Sequence, residues 1–288
     1  MRDVVVVPTY DRPEYLYVCL ERLLSAEGVG DKRVIVCQDS HKDDGVLDSP
    51  ACAISEHFGV EFHSRLPHSS FGNSFNVLEA LREAYEAGAD HVYLVEDDVF
   101  VMNDFFLWHD AIMKGVKENV FVSCASGIKG SLEYAINGPE VLDGGVTDPM
   151  AYHLSAHAYS SIGPCFHRRV LQFIVSNLCD GRTYSTLAPG IEQDMLIKRL
   201  MRGVGGVSLW PYVPRAYHMG WYGYHRNTGL KFNGTLQEKI DGLRRATYDQ
   251  SKINSMALAQ TIEAVPKIAT ARWWEDPNAQ FYRLRRFK

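Results

Sequence analysis

The sequence predicts an α/β fold in which helices flank a mostly parallel sheet. Two observations lead to this fold class. The chain opens with an apolar strand, an amphipathic helix and a second apolar strand before residue 40, which is the start of a doubly wound sheet. A later apolar strand, His91-Val92-Tyr93-Leu94-Val95, runs straight into Glu96, Asp97 and Asp98. Ligands of such sheets bind at the carboxyl ends of the strands, so these acids mark a candidate site.

The composition is typical of a soluble globular protein. Of the 288 residues, 46% are hydrophobic and 23% are charged. The net charge of -5 argues against a protein that coats nucleic acid, although it leaves room for a local basic face. No apolar run approaches the ~18 residues needed to cross a bilayer, and no signal-peptide pattern is present. The six cysteines are scattered without a Cys-x-x-Cys pair, so we expect core thiols in a cytoplasmic protein with no membrane span.

The first two strands are predicted from short runs rich in β-branched residues. Such runs at Val4–Val7 and Arg33–Cys37 are typical of buried parallel strands. The carboxyl end of the second strand carries Asp39, and the end of the first carries a polar segment with Pro8, Thr9, Tyr10 and Arg12. Because parallel strands end at the same edge of a sheet, we expect these residues to lie together.

The helix between these strands is predicted from its cap and its apolar face. Asp11 is expected to be the N-cap, with Pro13 in the first turn and Glu14 completing a capping box. The apolar face repeats at helical spacing, at Leu16, Cys19, Leu20, Leu23 and Leu24.

Between the second strand and the acidic strand we predict a polar loop over residues 40–50, a short strand at 60–63 and a helix that ends at Gly88. The helix has an apolar face formed by Val77, Leu78, Leu81 and Tyr85. Its first turn, near Gly72 and Asn73, would offer free backbone N–H groups to a phosphate or a ribose. Alternatively, Gly72 forms only a turn.

The later elements are predicted by the same signals. They are a helix capped by Asp104, a strand over 120–125, an irregular excursion over 127–160, a turn over 160–166, a helix from near Arg168, a helix headed by Glu192 and Asp194, a strand over 207–211, and a helix with a Thr235–Glu238 capping box.

The acidic triplet has two interpretations. Paired carboxylates at a strand end are suited to a hard divalent cation, which can also hold a diphosphate. The alternative is a charged turn that caps an edge strand.

The order of these segments resembles GT-A fold nucleotide-sugar glycosyltransferases, whose sheet is Rossmann-like. More narrowly, the chain is similar to glycosyltransferase family 13, the N-acetylglucosaminyltransferase I group. The segments that carry the resemblance are Thr9-Tyr10-Asp11-Arg12, Val34-Ile35-Val36-Cys37-Gln38-Asp39, Val95-Glu96-Asp97-Asp98-Val99 and Asn103-Asp104-Phe105-Phe106. The match is good over residues 4–108, thinner to Gly220, and fades after Phe232.

The resemblance implies roles in binding a donor nucleotide sugar. Arg12 would contact the diphosphate or the base, and Asp39 would accept a hydrogen bond from a uracil imide. Glu96 and Asp97 would lie close to the ribose and the sugar, and Asp98 would bind Mn²⁺ or Mg²⁺. The neighbouring residues expected to complete the donor site are Pro8, Thr9, Tyr10 and Asn73. From the residues alone, an alternative makes Arg12 a surface residue and Asp39 a turn former.

The resemblance also implies a general base and a further metal ligand. Asp194, at a helix start, matches the position of the base in this inverting family. The family's Trp-Asp-Asp-Trp-type sequence is replaced here by Glu192-Gln193-Asp194-Met195, so Glu192 remains a rival base. His218 falls where many GT-A enzymes place a metal-binding histidine, and its alternative is a packing role in an aromatic cluster.

We therefore expect a GT-A catalytic domain over residues 1–225, with a donor half over about 1–110 and an acceptor half over about 111–225. A basic, mostly helical extension would occupy residues 226–288. The expected activity is metal-dependent, inverting transfer of a hexosyl or N-acetylhexosaminyl group from a nucleotide-diphosphate sugar, with UDP as the expected nucleotide.

The acceptor stays open between a glycan, a lipid, a protein, a small molecule and a hydroxymethylated DNA base. DNA is included because phage-type GT-A enzymes modify such bases and because the C-terminal region is basic, with Arg244, Arg245, Arg272, Arg283, Arg285, Arg286 and Lys288. A non-catalytic nucleotide-sugar-binding protein is the alternative of another class. Nucleotidyl transfer is disfavoured because the segment after the first strand is not glycine-rich.

Overall fold

The computed structural model describes residues 3–39, 49–65, 72–115, 120–126, 152–156, 158–179, 192–211, 214–219, 222–223, 226–227 and 234–245. In chain order the elements are β1 Val4–Thr9, α1 Pro13–Ser25, β2 Arg33–Gln38, α2 Pro50–Phe58, β3 Glu61–Ser64, α3 Asn73–Glu86, β4 His91–Leu94, β5 Val99–Val101, α4 Phe105–Gly115, β6 Val120–Ser123, β7 Tyr152–Ser155, β8 Cys165–His167, α5 Arg168–Leu178, α6 Gln193–Gly203, β9 Val207–Pro211, β10 Ala216–His218, β11 Tyr222–Gly223, β12 Arg226–Asn227 and α7 over 236–245.

Eight of the described strands form one mixed sheet in the order β3-β2-β1-β4-β8-β6-β9-β7. Strands β3, β2, β1, β4, β6 and β9 run in the same direction, while β8 and β7 run against them. This is the mostly parallel α/β sheet that the sequence predicts, so the predicted fold class is confirmed.

The sheet is covered by helices on both faces. Alternate valines of β1 point to opposite faces, since side chains on a strand alternate. Val4 and Val6 join a core cluster with α3, α5 and α6, whereas Val5 and Val7 join a second cluster with α1, α2 and α4. All four valines are at most 2% exposed. Burial of each side chain stabilises the fold by roughly 1.5–3 kcal/mol.

A third, smaller core lies beside the end of the acidic segment. Strands β5 and β10 pair antiparallel, and their side chains pack with Tyr15 and Val18 of α1 and with Ile240 and Leu243 of α7. The predicted capping box begins α7: Thr235 N donates to Glu238 Oε2 at 2.7 Å, and Glu238 N donates to Thr235 Oγ1 at 3.3 Å. This packing fixes the chain around residue 218 against the acidic segment.

The predicted capping box of α1 is wrong. The N-cap position is occupied by Arg12, and no side chain caps the helix. Pro13 at the first helical position has no N–H to satisfy, and Glu14 is buried, at 4% exposure. Arg12 instead extends its guanidinium toward the acidic segment.

The sequence prediction lacks helix α2 and the short strands β5, β7, β8, β10, β11 and β12; β7 lies in the segment predicted as an irregular excursion. Helix α2 follows the predicted loop; Ser49 caps it by accepting a bond from Cys52 N at 3.1 Å, and Gly59 ends it with a φ of 65°. Strand β8 lies inside the segment predicted as a turn. It has only three residues, too few to show a period, and its register is set by long-range pairing of Phe166 with Val92.

The buried pair of Asp104 and Arg215 ties α4 to the chain before β10. Arg215 Nε donates to Asp104 Oδ2 at 3.0 Å, and Arg215 is fully buried. In the described part of the chain, no helix is long and apolar enough to span a membrane. Much of the predicted loop over 40–50, most of the excursion over 127–160, and residues 246–288 of the predicted extension lie outside the described residues.

Candidate functional site

The carboxyl ends of β1, β2 and β4 meet at one edge of the sheet. Parallel pairing aligns Thr9 with Gln38 and Val6 with Leu94. Beyond the strands, Asp39 N donates to Thr9 O at 2.9 Å and Asp97 N donates to Pro8 O at 3.2 Å. The polar segments that follow the three strands are therefore adjacent.

Arg12 bridges the two last acids of the triplet. Its Nη1 donates to Asp98 Oδ2 at 2.6 Å, and its Nη2 donates to Asp97 Oδ1. Thr9 Oγ1 donates to the other oxygen of Asp97 at 2.8 Å. Asp97 and Asp98 are 1% and 5% exposed, so the two carboxylates are held together in a largely dry environment by one guanidinium.

His218 lies on the other side of Asp98. Its Nε2 is 3.2 Å from Asp98 Oδ2, and Met219 N donates to the backbone oxygen of Asp98 at 2.7 Å. Burial alone would raise the pKa of Asp98, but the His218 hydrogen bond and the Arg12 charge hold it below its usual range. The second carboxylate oxygen, Oδ1, is buried and has no hydrogen-bond partner among the described residues.

The other two acids of the triplet bind protons more readily than usual. Burial raises the pKa of Asp97 to about 6, even though the Arg12 charge opposes this. Burial, followed by the charges of Asp98 and Asp97, raises the pKa of Glu96 to about 8. The cluster thus has more carboxylates than Arg12 alone can balance, and an additional cation would relieve their repulsion.

Helix α6 brings the predicted base to the same acids. Gln193 Nε2 donates to Glu96 Oε1 at 3.1 Å, and the charge of Asp194 is one of the causes that raise the pKa of Glu96. Asp194 is partly exposed, and its Oδ1 is buried without a hydrogen-bond partner in the described structure. Glu192 occupies the N-cap position and is exposed, with no side-chain cap bond.

The remaining predicted residues lie around this edge with different exposures. Pro8 is buried within β1, and Asp39 is 4% exposed. Tyr10 is 40% exposed, and Asn73 is exposed in the first turn of α3. Gly72 precedes α3 as its N-cap with a φ of 81°, a conformation that favours glycine.

Three polar residues of this edge received no role from the sequence. Asn76 Nδ2 donates to Cys37 O at 2.8 Å and to Thr9 O at 3.4 Å, which ties α3 to the ends of β1 and β2. Arg65, just after β3, donates from Nε to Asn76 Oδ1 at 3.1 Å, and its Nη2 is buried without a described partner. Gln193 is the third. A polar residue inside an apolar helix face is the only sequence signal that points to Asn76.

The side chains of the described residues do not complete a metal site at this edge by themselves. Among the described residues, no group of three or more His, Cys, Asp or Glu side chains is arranged to hold one. The available donors are the free Oδ1 of Asp98, its shared Oδ2 and the imidazole of His218. Carboxylate oxygen and imidazole nitrogen are suitable ligands for Mn²⁺, and Mg²⁺ sites commonly combine one or two carboxylates with substrate phosphates.

Two solved structures with a similar fold contain a bound nucleotide sugar. The mannosyltransferase PcManGT from Pyrobaculum calidifontis, in complex with GDP-Man and Mn²⁺, matches with a TM-score of 0.53 and 14% identity over 94% of this chain and 75% of that one. S. aureus TarS 1-349, in complex with UDP-GlcNAc, matches with a TM-score of 0.51 and 15% identity over 91% of this chain and 73% of that one.

The longer S. aureus TarS structure matches with a TM-score of 0.51 and 12% identity, and this chain covers 50% of it. No model of a known protein family matches the sequence. No curated protein sequence is detectably similar to it. At these identities the structural matches establish the fold alone, and no comparison supports the narrower resemblance to family 13. The chain has a GT-A-like α/β fold.

Proposed function

We propose that the protein is a metal-dependent, inverting glycosyltransferase that moves a sugar from a nucleotide-diphosphate sugar to an acceptor hydroxyl. The observation that supports this activity most strongly is the convergence of Arg12, Asp97, Asp98 and His218 at the carboxyl edge of a GT-A-like sheet. The helix that begins beside Glu96 adds Asp194 to the same edge.

In this proposal Asp98 and His218 hold Mn²⁺ or Mg²⁺, with the donor diphosphate and water as the remaining ligands. The free Oδ1 of Asp98 and the absence of a third side-chain ligand among the described residues favour this composition. When bound, the ion supplies positive charge that stabilises the leaving diphosphate.

The donor is bound by the residues around the acids. Arg12, already held by two carboxylates, is a planar cation suited to charge-assisted bonds with a diphosphate. Asp39 accepts a hydrogen bond from the base, which favours uracil through its imide N–H. Glu96 and Asp97 lie near the ribose and the sugar, and the flanking donor contacts come from Pro8, Thr9, Tyr10 and Asn73.

Asp194 acts as the general base. A carboxylate that removes the proton of the acceptor hydroxyl must lie on the side of the sugar opposite the leaving diphosphate, and such a base contributes typically about 10²–10⁴-fold. Asp194 neighbours Glu96 and has a buried, unpartnered oxygen, whereas Glu192 is exposed, so Asp194 is the preferred assignment and Glu192 the rival.

The acceptor is not assigned. The basic C-terminal region, on which a DNA acceptor depends, is described only as far as residue 245. One of its two described arginines, Arg244, donates to both carboxylate oxygens of Glu21, at 2.9 and 2.6 Å. No described feature favours DNA over a glycan, a lipid, a protein or a small molecule.

A donor panel tests the activity. The protein would be incubated with UDP-glucose, UDP-GlcNAc, UDP-galactose and GDP-mannose, with Mn²⁺, Mg²⁺ or a chelator, and released nucleotide would be measured. With water as the acceptor in this mixture, we expect metal-dependent release of nucleotide from one UDP-sugar, and the free sugar that forms should first appear with inverted anomeric configuration by NMR. Nucleotide-sugar binding without release would favour the non-catalytic alternative, and no binding to any donor would contradict both.

A further inference from the structure

Gln193 is a buried polar residue that the proposed mechanism does not use. It is the first residue of α6 and is 4% exposed. Its Nε2 donates to Glu96 Oε1 at 3.1 Å, and its Oε1 accepts a bond from Ser74 Oγ at 3.4 Å. The two ends of the amide thus contact two different residues.

The Gln193 side chain links three separate parts of the chain. Ser74 lies in the first turn of α3, Glu96 begins the acidic segment, and Gln193 itself begins α6. The cap of α6 offers no substitute for this link, because Glu192 makes no side-chain cap bond. The next residue is Asp194, whose Oδ1 is buried and has no partner among the residues described.

The chemistry of the side chain also matters at this position. Glu96 accepts the hydrogen bond of Gln193, and Asp194 is the next residue of the chain. An amide between these segments donates an N–H to Glu96 without adding a negative charge. A carboxylate at position 193 would instead add a third acid and remove the donor.

We propose that Gln193 is a positioning residue, which holds the first turn of α6 against Glu96 so that Asp194 is kept at a fixed place relative to the donor. This role rests on the proposed function, with Asp194 as the base and the acidic segment as the donor site. Displacing a reacting group by about 1 Å costs on the order of 10²-fold in rate, so one lost anchoring bond has a measurable effect.

The main variant is Gln193→Met, which keeps the length of the side chain and removes both hydrogen bonds. We expect kcat for nucleotide release to fall about 10–100-fold while the Kd for UDP with Mn²⁺ stays within about twofold, because the base and not the donor site is displaced. Gln237→Met is the matched control: Gln237 bonds Asp241 on the exposed surface of α7, at 3.0 Å, and its replacement should change neither quantity.

A pair of variants in which residues 193 and 96 exchange their amide and carboxyl groups distinguishes a positioning role from a simple loss of stability. Gln193→Glu places two carboxylates face to face, whereas combining it with Glu96→Gln restores one N–H···O bond with donor and acceptor exchanged. Ser74 can still donate a hydrogen bond to residue 193 in the Gln193→Glu variant and in the double variant. We expect the double variant to have a higher kcat than the two single effects predict when combined. Ser74→Ala removes only one of the two bonds and should lower kcat by less than Gln193→Met does.

Two results would overturn the role of Gln193 in an active protein. One is a kcat for Gln193→Met within twofold of wild type. The other is an equal loss of kcat and UDP affinity, with no recovery in the double variant, which would indicate collapse of the whole edge. If Gln193→Met does not fold, an unchanged kcat in Ser74→Ala together with additive behaviour of the exchanged pair would also overturn it. Wild-type protein that releases nucleotide from no donor would instead overturn the proposed function, and this role with it.

Discussion

The two edges of the sheet each contain a cluster of charges, and the clusters differ in how completely they are paired. At the amino-terminal edge, the buried Lys32 ammonium lies 3.2 Å from Asp110 Oδ2, 3.5 Å from Asp31 Oδ1 and 3.9 Å from Asp3 Oδ2. Tyr93 donates to Asp110, and His91 contacts Asp3 at 3.1 Å. Among the described residues, no side-chain nitrogen or oxygen of this cluster is buried without a partner.

The carboxyl-terminal edge is incompletely paired by comparison. Arg12 balances Asp97 and Asp98, but Glu96 has no guanidinium of its own among the described residues, and the Oδ1 atoms of Asp98 and Asp194 lack partners there. An unpartnered buried polar atom costs about 1–3 kcal/mol, so it persists where a ligand completes it or where function retains it. Under the proposed function, the complete cluster serves stability and the incomplete one binds the donor and its metal.

The largest expected effect is a loss of transfer rate on substitution of Asp194 at the incompletely paired, carboxyl-terminal edge. Asp194→Asn keeps the shape of the side chain but removes the proton acceptor, so transfer should fall by about 10²–10⁴-fold. UDP affinity measured by calorimetry should remain near that of wild type. Glu192→Gln is the matched control and should retain most of the activity; the reverse outcome would move the base to Glu192.

A substitution in the fully paired cluster at the amino-terminal edge should lower the free energy of unfolding and leave UDP affinity unchanged. Lys32→Met leaves Asp3 and Asp110 facing each other without their cation, and we expect a loss of about 3 kcal/mol in the free energy of unfolding. Urea denaturation measures the loss, and UDP affinity at a temperature where the variant is folded should be unchanged. A stable variant with impaired UDP binding would reverse the assignment of the two edges.

Arg12 is expected to affect metal and nucleotide in opposite directions. The guanidinium occupies Asp98 Oδ2, so Arg12→Gln should tighten Mn²⁺ binding in the absence of nucleotide. The same change should weaken UDP binding, since a charge-assisted hydrogen bond is worth about 1.5–3 kcal/mol, or roughly 10–100-fold. Mn²⁺ titration by electron paramagnetic resonance and UDP calorimetry measure the two effects. Weaker Mn²⁺ binding in the variant would exclude competition between Arg12 and the metal.

A pH dependence of stability is expected from a buried, fully paired histidine. His109 Nδ1 lies 2.9 Å from Ser123 Oγ and Nε2 lies 3.1 Å from Gly163 O, and burial lowers its pKa from 6.5 to about 3. The folded protein keeps this ring neutral, while the unfolded chain protonates it below pH 6.5. The stability that His109 contributes is thus complete above pH 6.5 and is lost toward pH 3, at about 1.4 kcal/mol per pH unit.

A comparison of wild type with His109→Gln separates the pH dependence of stability that is due to His109 from that of the other titrating groups. The difference in unfolding free energy between wild type and variant, measured in urea at several pH values, should narrow as the pH falls from 6.5. A difference that is constant with pH would indicate that His109 is protonated equally in both states.

The parts of the fold that depend on local sequence were predictable. The valine run of β1, the apolar face of α1 and the strand that precedes Glu96 each have a clear period or composition. The rule that parallel strands end at one edge was sufficient to group Arg12 with Asp39 and the acids. Strand β8 was not predictable, because its three residues are defined by their pairing with β4 and not by their own pattern.

The finer contacts of the site depend on long-range packing and could not be predicted. Gln193 meets Glu96 across 97 positions of the chain, and Arg65 meets Asn76 through the packing of α3 on the strand ends. The N-cap position of α1 is Arg12 and not the predicted Asp11, and the Arg12 guanidinium forms ion pairs with two buried carboxylates far along the chain. Local capping preferences are worth only about 1 kcal/mol and are easily exceeded by such pairs.

The assignment of the carboxyl-terminal edge is tested most directly by UDP calorimetry with and without Mn²⁺ on Asp98→Ala, with Lys32→Met as the partner variant from the opposite edge. Wild type and Lys32→Met should both bind UDP more tightly when Mn²⁺ is present. Asp98→Ala should bind UDP with the same weak affinity in both conditions. If Asp98→Ala gained as much affinity from Mn²⁺ as wild type does, the metal would not be held by Asp98 and the account of this edge would be contradicted.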